Sequence, residues 1–398
     1  MSAKRLKNSS KKVKNPSVLI LTPAFRPNLG GVEVHLNDLS EYLRKNDFYT
    51  YVLSYQPITT KAKGKGYERR RNLEVYRFNW ISGNFFNVFV NWHPVFNFLY
   101  LTPYFAIRTF FFLLSKHRKI DVIHAIGLST TFPAVFFRKL FGIPVVMTTE
   151  TIFNFEKGSM FSKVSKWVID NIDHLLAQSD DSKKEFVDLG IPKNKITVFA
   201  HWINQDIFKP VDKKKLKKKL GWEDKFAILY VGRLIPEKGI RITVDVAKIL
   251  GNKVQLQIIG DDGPELPYVK KAMKMESTDI HFIGKVPHDD LPPYYGAADV
   301  FVYPALYKED MAYVLLDAMS CGTSVINTNP GSGIYKLSSD VGFVVEPEVK
   351  AIADKVAYLL NHPKKAARMG REAAKYAVKF GPKMAKTITD VYYLISGD

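Results

Sequence analysis

Arg233 and Lys238 stand five residues apart in the run Val231-Gly-Arg-Leu-Ile-Pro-Glu-Lys-Gly239, just after an apolar stretch of strand character. Two cations on one loop at the end of a strand can neutralise a diphosphate, the guanidinium through a planar fork of donors and the ammonium as a compact charge. Ordinary solvation of a surface loop would use the same two residues. A second turn, Ile258-Ile-Gly-Asp-Asp-Gly-Pro-Glu-Leu266, also empties from an apolar run; Gly260, Asp261 and Gly263 give it an edge a nucleotide could approach. Further on, Glu309 lies in a loop after a strand and Asp317 in the second turn of a helix predicted to begin near Ala312. The free amides of Ala312, Tyr313 and Val314 at that helix start suit an anion, and the flanking carboxylates could hold sugar hydroxyls. Near the amino terminus Gly30-Gly31 separates a strand from a helix, either as a tight turn or as a close approach for an anion or sugar. In the first half, His124 closes a short apolar strand at a predicted cleft edge, and Glu150 follows another, where it could accept a proton from a hydroxyl or only bind it. No His, Cys and Asp cluster has metal-ligand spacing, so no metal or other cofactor is expected.

These loops need a scaffold that brings strand ends together. Apolar runs at 17–22, 49–54, 121–124, 144–148 and 174–177 alternate with helical patterns at 33–44, 131–141 and 182–189. A second series follows, with strands at 226–231, 254–259, 280–283, 300–303 and 324–327 and helices between and after them. Strand-helix alternation predicts an α/β fold of two Rossmann-like, doubly wound domains facing a cleft, with ligands at the carboxyl ends of the strands. The 398 residues exceed one compact core, in agreement with two domains. We place a basic flexible tail at 1–16, a first domain at 17–203 and a second at 204–380, with a hinge near 201–210.

The net charge of +19 invites a polyanion partner. It is concentrated in three patches: 1–14 carries +6, 61–71 carries +5 and 209–219 carries +6, which leaves +2 for the rest of the chain. Such patches suit an anionic membrane surface or nucleic acid, or are simply solvated. No recognisable nucleic-acid module accompanies them, so no nucleic acid is expected as a partner. Residues 79–107 hold no Asp, Glu, Lys or Arg but are crowded with aromatic residues, among them Trp80, Phe85, Phe89, Trp92, Phe96 and Tyr104. Asn97, Pro94 and Pro103 interrupt the stretch, so a membrane-spanning helix is not expected; a surface dipping into a lipid interface, or a buried helix pair, is. Residues 1–15 lack the apolar core of a secretory signal and Cys321 stands alone, which points to a cytoplasmic protein, peripheral on the cytoplasmic face of a membrane.

Taken together, the four glycine and acid motifs in this order resemble the retaining nucleotide-sugar glycosyltransferases of family 4, group 1, which have the GT-B fold. The resemblance covers nearly the whole chain from Ser17. It implies that the last segment, 381–398, packs back on the first domain. It also implies that Gly30-Gly31, with Glu33 and His35 after it, faces the donor and acceptor. Gly232, Arg233, Lys238 and Gly239 match the segment that contacts the donor diphosphate, and Lys285 and Val286 fall in the stretch whose backbone reads the base. Glu309 would meet the transferred hexose and Asp317 the ribose. The family carries Glu at the position of Asp317, Gly-Phe-Gly at Asp310-Met311-Ala312, and often His at Glu150. The implied activity is transfer of a hexose-type sugar from a nucleotide-diphosphate sugar to an acceptor, with retention and without a metal. The basic and aromatic surface suggests a lipid-linked acceptor. A sugar-nucleotide-binding or scaffold protein with weakened catalysis is the rival reading, motivated by Asp317 and the missing glycines.

Overall fold

The computed structural model describes residues 15–28, 30–58, 62–81, 89, 94–149, 153–156, 158–222, 225–307, 312–329 and 337–397. Most of the basic tail, together with Phe85, Trp92, Glu150, Glu309, Asp310 and Met311, lies outside the described residues. The first domain contains β1 (Val18–Leu21), α1 (Gly31–Lys45), β2 (Thr50–Tyr55), β3 (Tyr67–Arg70), β4 (Leu73–Phe78), α2 (Pro94–Lys116) and β5 (Val122–Ile126). It continues through α3 (Leu128–Phe141), β6 (Val145–Thr148), α4 (Met160–Asp170), β7 (His174–Ala177), α5 (Asp180–Asp188) and β8 (Ile196–Val198). The second contains α6 (Lys213–Leu220), β9 (Phe226–Val231), α7 (Ile240–Leu250), β10 (Val254–Ile259), α8 (Leu266–Met273), β11 (Ile280–Gly284) and α9 (Pro292–Ala297). After these come β12 (Val300–Tyr303), α10 (Tyr313–Ser320), β13 (Ser324–Thr328), β14 (Gly342–Val345), α11 (Val349–Asn361) and α12 (Pro363–Ala377). The last helix, α13 (Ala385–Ser396), packs on the first domain beside β5 and β7.

The sheets run β3-β4-β2-β1-β5-β6-β7-β8 and β11-β10-β9-β12-β13-β14, all parallel except for β3 against β4. In each, the strand order reverses beside the first strand, between β1 and β5 and between β9 and β12. There a crevice opens at the strand ends, which is where ligands bind in such sheets. Both sheets are buried on both faces, as parallel sheets with helical crossovers must be. Side chains alternate accordingly: Leu19 and Leu21 join the core under α2 and α3, whereas Val18 and Ile20 join the one under α1 and α13. Trp202 belongs to a first-domain core and Ile203 to a second-domain core. The chain returns alongside, since Ile203 N–H donates to the Phe380 carbonyl at 2.9 Å and Gln205 Nε2 to the Val378 carbonyl at 3.0 Å.

Two expectations need correction. Pro103 does not end the aromatic stretch as a helix; α2 runs through it, with the proline on the exposed side. Val95–Lys119 is long and apolar enough to cross a membrane by length and composition alone. One side of this helix is core, through Leu101, Phe105 and Leu113. The Lys-rich patch is not merely solvated either: Asp212 caps α6, and Lys217 forms an ion pair with Asp299 at the foot of β12.

Candidate active site

The turns that follow β9, β10 and β12 meet backbone to backbone. Gly239 has φ of 68°, and a Cβ there would stand 1.9 Å from the Pro304 carbonyl oxygen. A Cβ on Gly260 would lie 2.3 Å from the Gly232 carbonyl oxygen, and one on Gly263 2.2 Å from that of Leu234. Glycine is thus required at all three positions by contact, and at Gly239 by conformation as well. Asp261 reinforces the junction: its Oδ1 accepts the Leu234 N–H at 3.3 Å.

This packing presents the cations. Arg233 is exposed on its turn. Lys238 Nζ lies 3.4 Å from the Tyr303 hydroxyl and over the rings of Tyr303 and Tyr307, at 5.7 and 5.3 Å. Such cation–π contacts hold an ammonium by about 0.5–1 kcal/mol. Ala312 is the buried N-cap of α10, and Tyr313 and Val314 open a helix whose dipole favours an anion. Lys285 is exposed and Val286 half-buried just beyond β11.

The first domain closes on this surface. A Cβ on Gly31 would come 3.2 Å from the Tyr313 ring. The Tyr313 hydroxyl pairs with Nδ1 of His201, in the segment joining the domains. A Cβ on Gly30 would lie 2.5 Å from Glu33 Oε2. Glu33 is buried, accepts from Asn28 Nδ2 and bonds its own backbone N–H. Burial pushes its carboxyl up, against those hydrogen bonds and the pull of Arg233 and Lys285. The start of α1, read from sequence as either a tight turn or a close approach for an anion or sugar, therefore holds a carboxylate within electrostatic reach of Arg233 and Lys285.

Two predicted acceptor-side residues are elsewhere. His124 is fully buried; it shares the sheet face of Val122 and Ile126, which α13 covers. Its Nδ1 pairs with the Tyr392 hydroxyl at 2.7 Å and its Nε2 with Thr148 Oγ1 at 2.6 Å. Burial lowers its pKa to about 3. His35 is also buried, packed against Phe199, Trp202 and His201, whose ring centroid is 4.4 Å away. Burial, then the neighbouring His201 and His124, hold His35 well below the usual imidazole range. Both histidines are interior groups of the first domain and its junction, not acceptor contacts.

Asp317 does not open onto the cleft either. It is fully buried, and its Oδ2 lies 3.0 Å from His288 Nε2. Burial opposes charge on His288, but the attraction of Asp317, the Asp289 carboxylate 3.7 Å away, the hydrogen bond to Asp317 and the attraction of Asp38 outweigh it and raise its pKa to about 10. Burial pushes the Asp317 carboxyl up as well, against the attraction and hydrogen bond of His288. The sequence reading assigned no role to His288, His201 or Asn28; His288 sits four residues past β11, and a polar residue so close to a nucleotide-facing strand end was the available signal. Among the described residues no three His, Cys, Asp or Glu side chains converge as a metal site would require.

Two doubly wound domains closing a cationic turn and a helix start against a glycine loop define a GT-B glycosyltransferase. The family description "Glycosyltransferase Family 4" matches residues 29–206 and "Glycosyl transferases group 1" residues 212–376. The chain belongs to this family and is a glycosyltransferase. It is similar to a phosphatidylinositol N-acetylglucosaminyltransferase subunit of Arabidopsis thaliana, 24% identical over 86% of this chain and 74% of that one. It is also similar to D-inositol 3-phosphate glycosyltransferase 2 of Catenulispora acidiphila, 28% identical over 56% of this chain and 57% of the other. Among solved structures it resembles sucrose-phosphate synthase from Thermosynechococcus elongatus, with TM-score 0.78, 19% identity and coverage of 96% and 100%. The Anabaena HepE protein in complex with UDP-glucose gives TM-score 0.74, 19% identity and coverage of 95% and 99%.

Proposed function

We propose that this glycosyltransferase moves a hexose-type sugar from a nucleotide-diphosphate sugar, held by the second domain, to a lipid-linked acceptor, with retention and without a metal. The observation that carries the donor half is the meeting of Arg233, Lys238 and the amino-terminal end of α10 on one surface opposite Gly31. Negative charge developing on the leaving diphosphate would be stabilised there by fixed cations and amides. Closing the first domain over it excludes water that would hydrolyse the donor. Glu309, by family resemblance, orients the hexose. The HepE complex with UDP-glucose supports a uridine donor as the first to try.

The lipid half rests on α2, α3 and α4. Ring contacts join them, from Phe98 to Phe132 and from Phe132 and Phe136 to Trp167. They expose Phe111 at 64%, Leu140 at 62% and Met160 at 76%, with Leu99, Ile107 and Trp167 between. Asp170 is the one acid on these three helices, and it pairs with Lys166; Arg108, Lys139 and Lys163 are exposed. An apolar face with a basic rim suits an anionic lipid interface, and α3 starts next to the carboxyl end of β5, at the cleft. We place this peripheral association on the cytoplasmic face of the membrane. The names of the two relatives above favour an inositol-containing acceptor, and the apolar face favours its lipid form. The test is transfer of labelled sugar from UDP-glucose and UDP-N-acetylglucosamine to phosphatidylinositol in vesicles, beside flotation with anionic vesicles at low salt. Labelled lipid and co-flotation are expected; binding of UDP with no transfer from any sugar nucleotide supports the scaffold reading instead.

A further inference from the structure

A chain of charged contacts leads from α10 to the opposite domain. His288, in the turn between β11 and α9, bonds Asp317 through Nε2 at 3.0 Å, while its Nδ1 is 3.7 Å from Asp289 Oδ1. Asp289 in turn accepts from Arg26 Nη1 and Nη2 at 2.8 and 3.0 Å. Arg26 lies in the β1–α1 connection of the first domain, the segment that ends in Gly30-Gly31, and its own carbonyl accepts from Arg77 Nε of β4 at 2.8 Å. A two-point Arg–carboxylate pair sets orientation as well as distance. The ring of Phe208 packs on the imidazole with centroids 4.6 Å apart, so His288 has little freedom to leave this line. Asp317 Oδ1, on the far side of the carboxylate, is buried without a hydrogen-bond partner among the described residues.

We infer that His288 is a positioning residue for sugar transfer: joined to Asp317 on α10 and set beside Asp289, it ties the donor-side helix to the Arg26-bearing connection. α10 and the Gly30-Gly31 turn then reach their working positions together. This rests on the donor reading above, because α10 matters to transfer only if its start holds the diphosphate. Removing one member of a buried ion pair strands the other charge, so His288→Ala risks plain unfolding. His288→Gln keeps a donor for Asp317, and exchanging the charges of Arg26 and Asp289 probes the interdomain link without touching the buried pair.

The experiment is amide hydrogen exchange of the whole chain, with UDP titrated calorimetrically as the probe ligand. In His288→Gln, exchange should rise about tenfold in both 24–28 and 313–320, and the UDP dissociation constant should rise about tenfold. Arg26→Asp and Asp289→Arg should each loosen 24–28, and the double exchange should bring it back to within about twofold of the wild type. Exchange that rises only around Asp317 in His288→Gln, or a double exchange no better than either single change, overturns the inference. Wild-type protein that binds no UDP but keeps the coupled exchange pattern would overturn the uridine donor reading and the role in transfer while leaving the mechanical link standing.

Discussion

The carbonyl oxygen of Gly232 lies 2.3 Å from where a Cβ would stand on Gly260, so two turns separated by a full strand and helix touch backbone to backbone. The turn carrying Arg233 is aimed by this contact and by the one between Gly239 and Pro304. Gly239→Ala should cost more than the roughly 1–2 kcal/mol of a left-handed non-glycine residue, because overpacking adds about 1–3 kcal/mol. Gly142 has φ of 71° with nothing near its absent Cβ, so Gly142→Ala should show the conformational cost alone. Urea midpoints of the two variants decide; equal losses would mean the turns are free to part.

Arg233→Ala and Lys238→Ala, made separately, should each lower kcat by about 10²–10³ if they stabilise charge on the leaving diphosphate. Arg233 is exposed and Lys238 half-buried over Tyr303 and Tyr307, so the melting temperature should barely move in Arg233→Ala and fall slightly in Lys238→Ala. Unchanged transfer from every usable sugar nucleotide would refute the diphosphate assignment.

Glu33 places a buried carboxylate within electrostatic reach of Arg233 and Lys285. Glu33→Gln keeps its shape and one acceptor while removing a charge that opposes a diphosphate. UDP should bind this variant severalfold more tightly at pH 7, about 1 kcal/mol on the scale of a single screened charge pair. Its raised native pKa means the wild type should approach the variant's affinity as pH falls toward the carboxyl's titration. Weaker binding by Glu33→Gln at unchanged stability would show instead that the carboxylate supports the site.

His124 and His201 are buried neutral, each with a pKa lowered to about 3 by burial. In the unfolded chain they titrate near 6.5, so below that pH the unfolded state binds protons that the native state refuses. Their contribution to stability is complete above pH 6.5 and is lost as pH falls toward 3, at about 1.4 kcal/mol per unit for each residue. Urea unfolding between pH 7 and 4.5 should show a slope reduced by about one proton in His124→Asn, which cannot take up that proton when unfolded. An identical slope would mean His124 is already charged in the native protein.

Much of the fold was legible because it is locally encoded. Apolar runs four to six residues long that end in glycine turns specify buried parallel strands and their loops, and the turns at Gly232, Gly260 and Ala312 all stand where strand ends put them. The β3–β4 hairpin and α4 were harder to see, since Tyr67–Arg70 is exposed and charged and α4 follows an irregular aromatic loop. Pro103 misled because a proline on the open side of a helix leaves the carbonyl four residues before it, which has lost its N–H donor, to solvent, and packing of Leu101 and Phe105 keeps the helix continuous.

Sequence by itself therefore determined the class of fold, the family and the position of the strand-end turns, since each depends on neighbours within a few residues. Only tertiary structure decided what the polar residues between them do. His124 looks like a cleft residue until α13 arrives from 268 positions away to cover its face, and Tyr392 claims its nitrogen. Asp317 looks like a sugar contact until His288, 29 positions earlier, takes its carboxylate below the surface. A strand or turn is selected by local period and backbone sterics. The partner of a buried imidazole or carboxylate is selected by which distant element must satisfy it once water is gone.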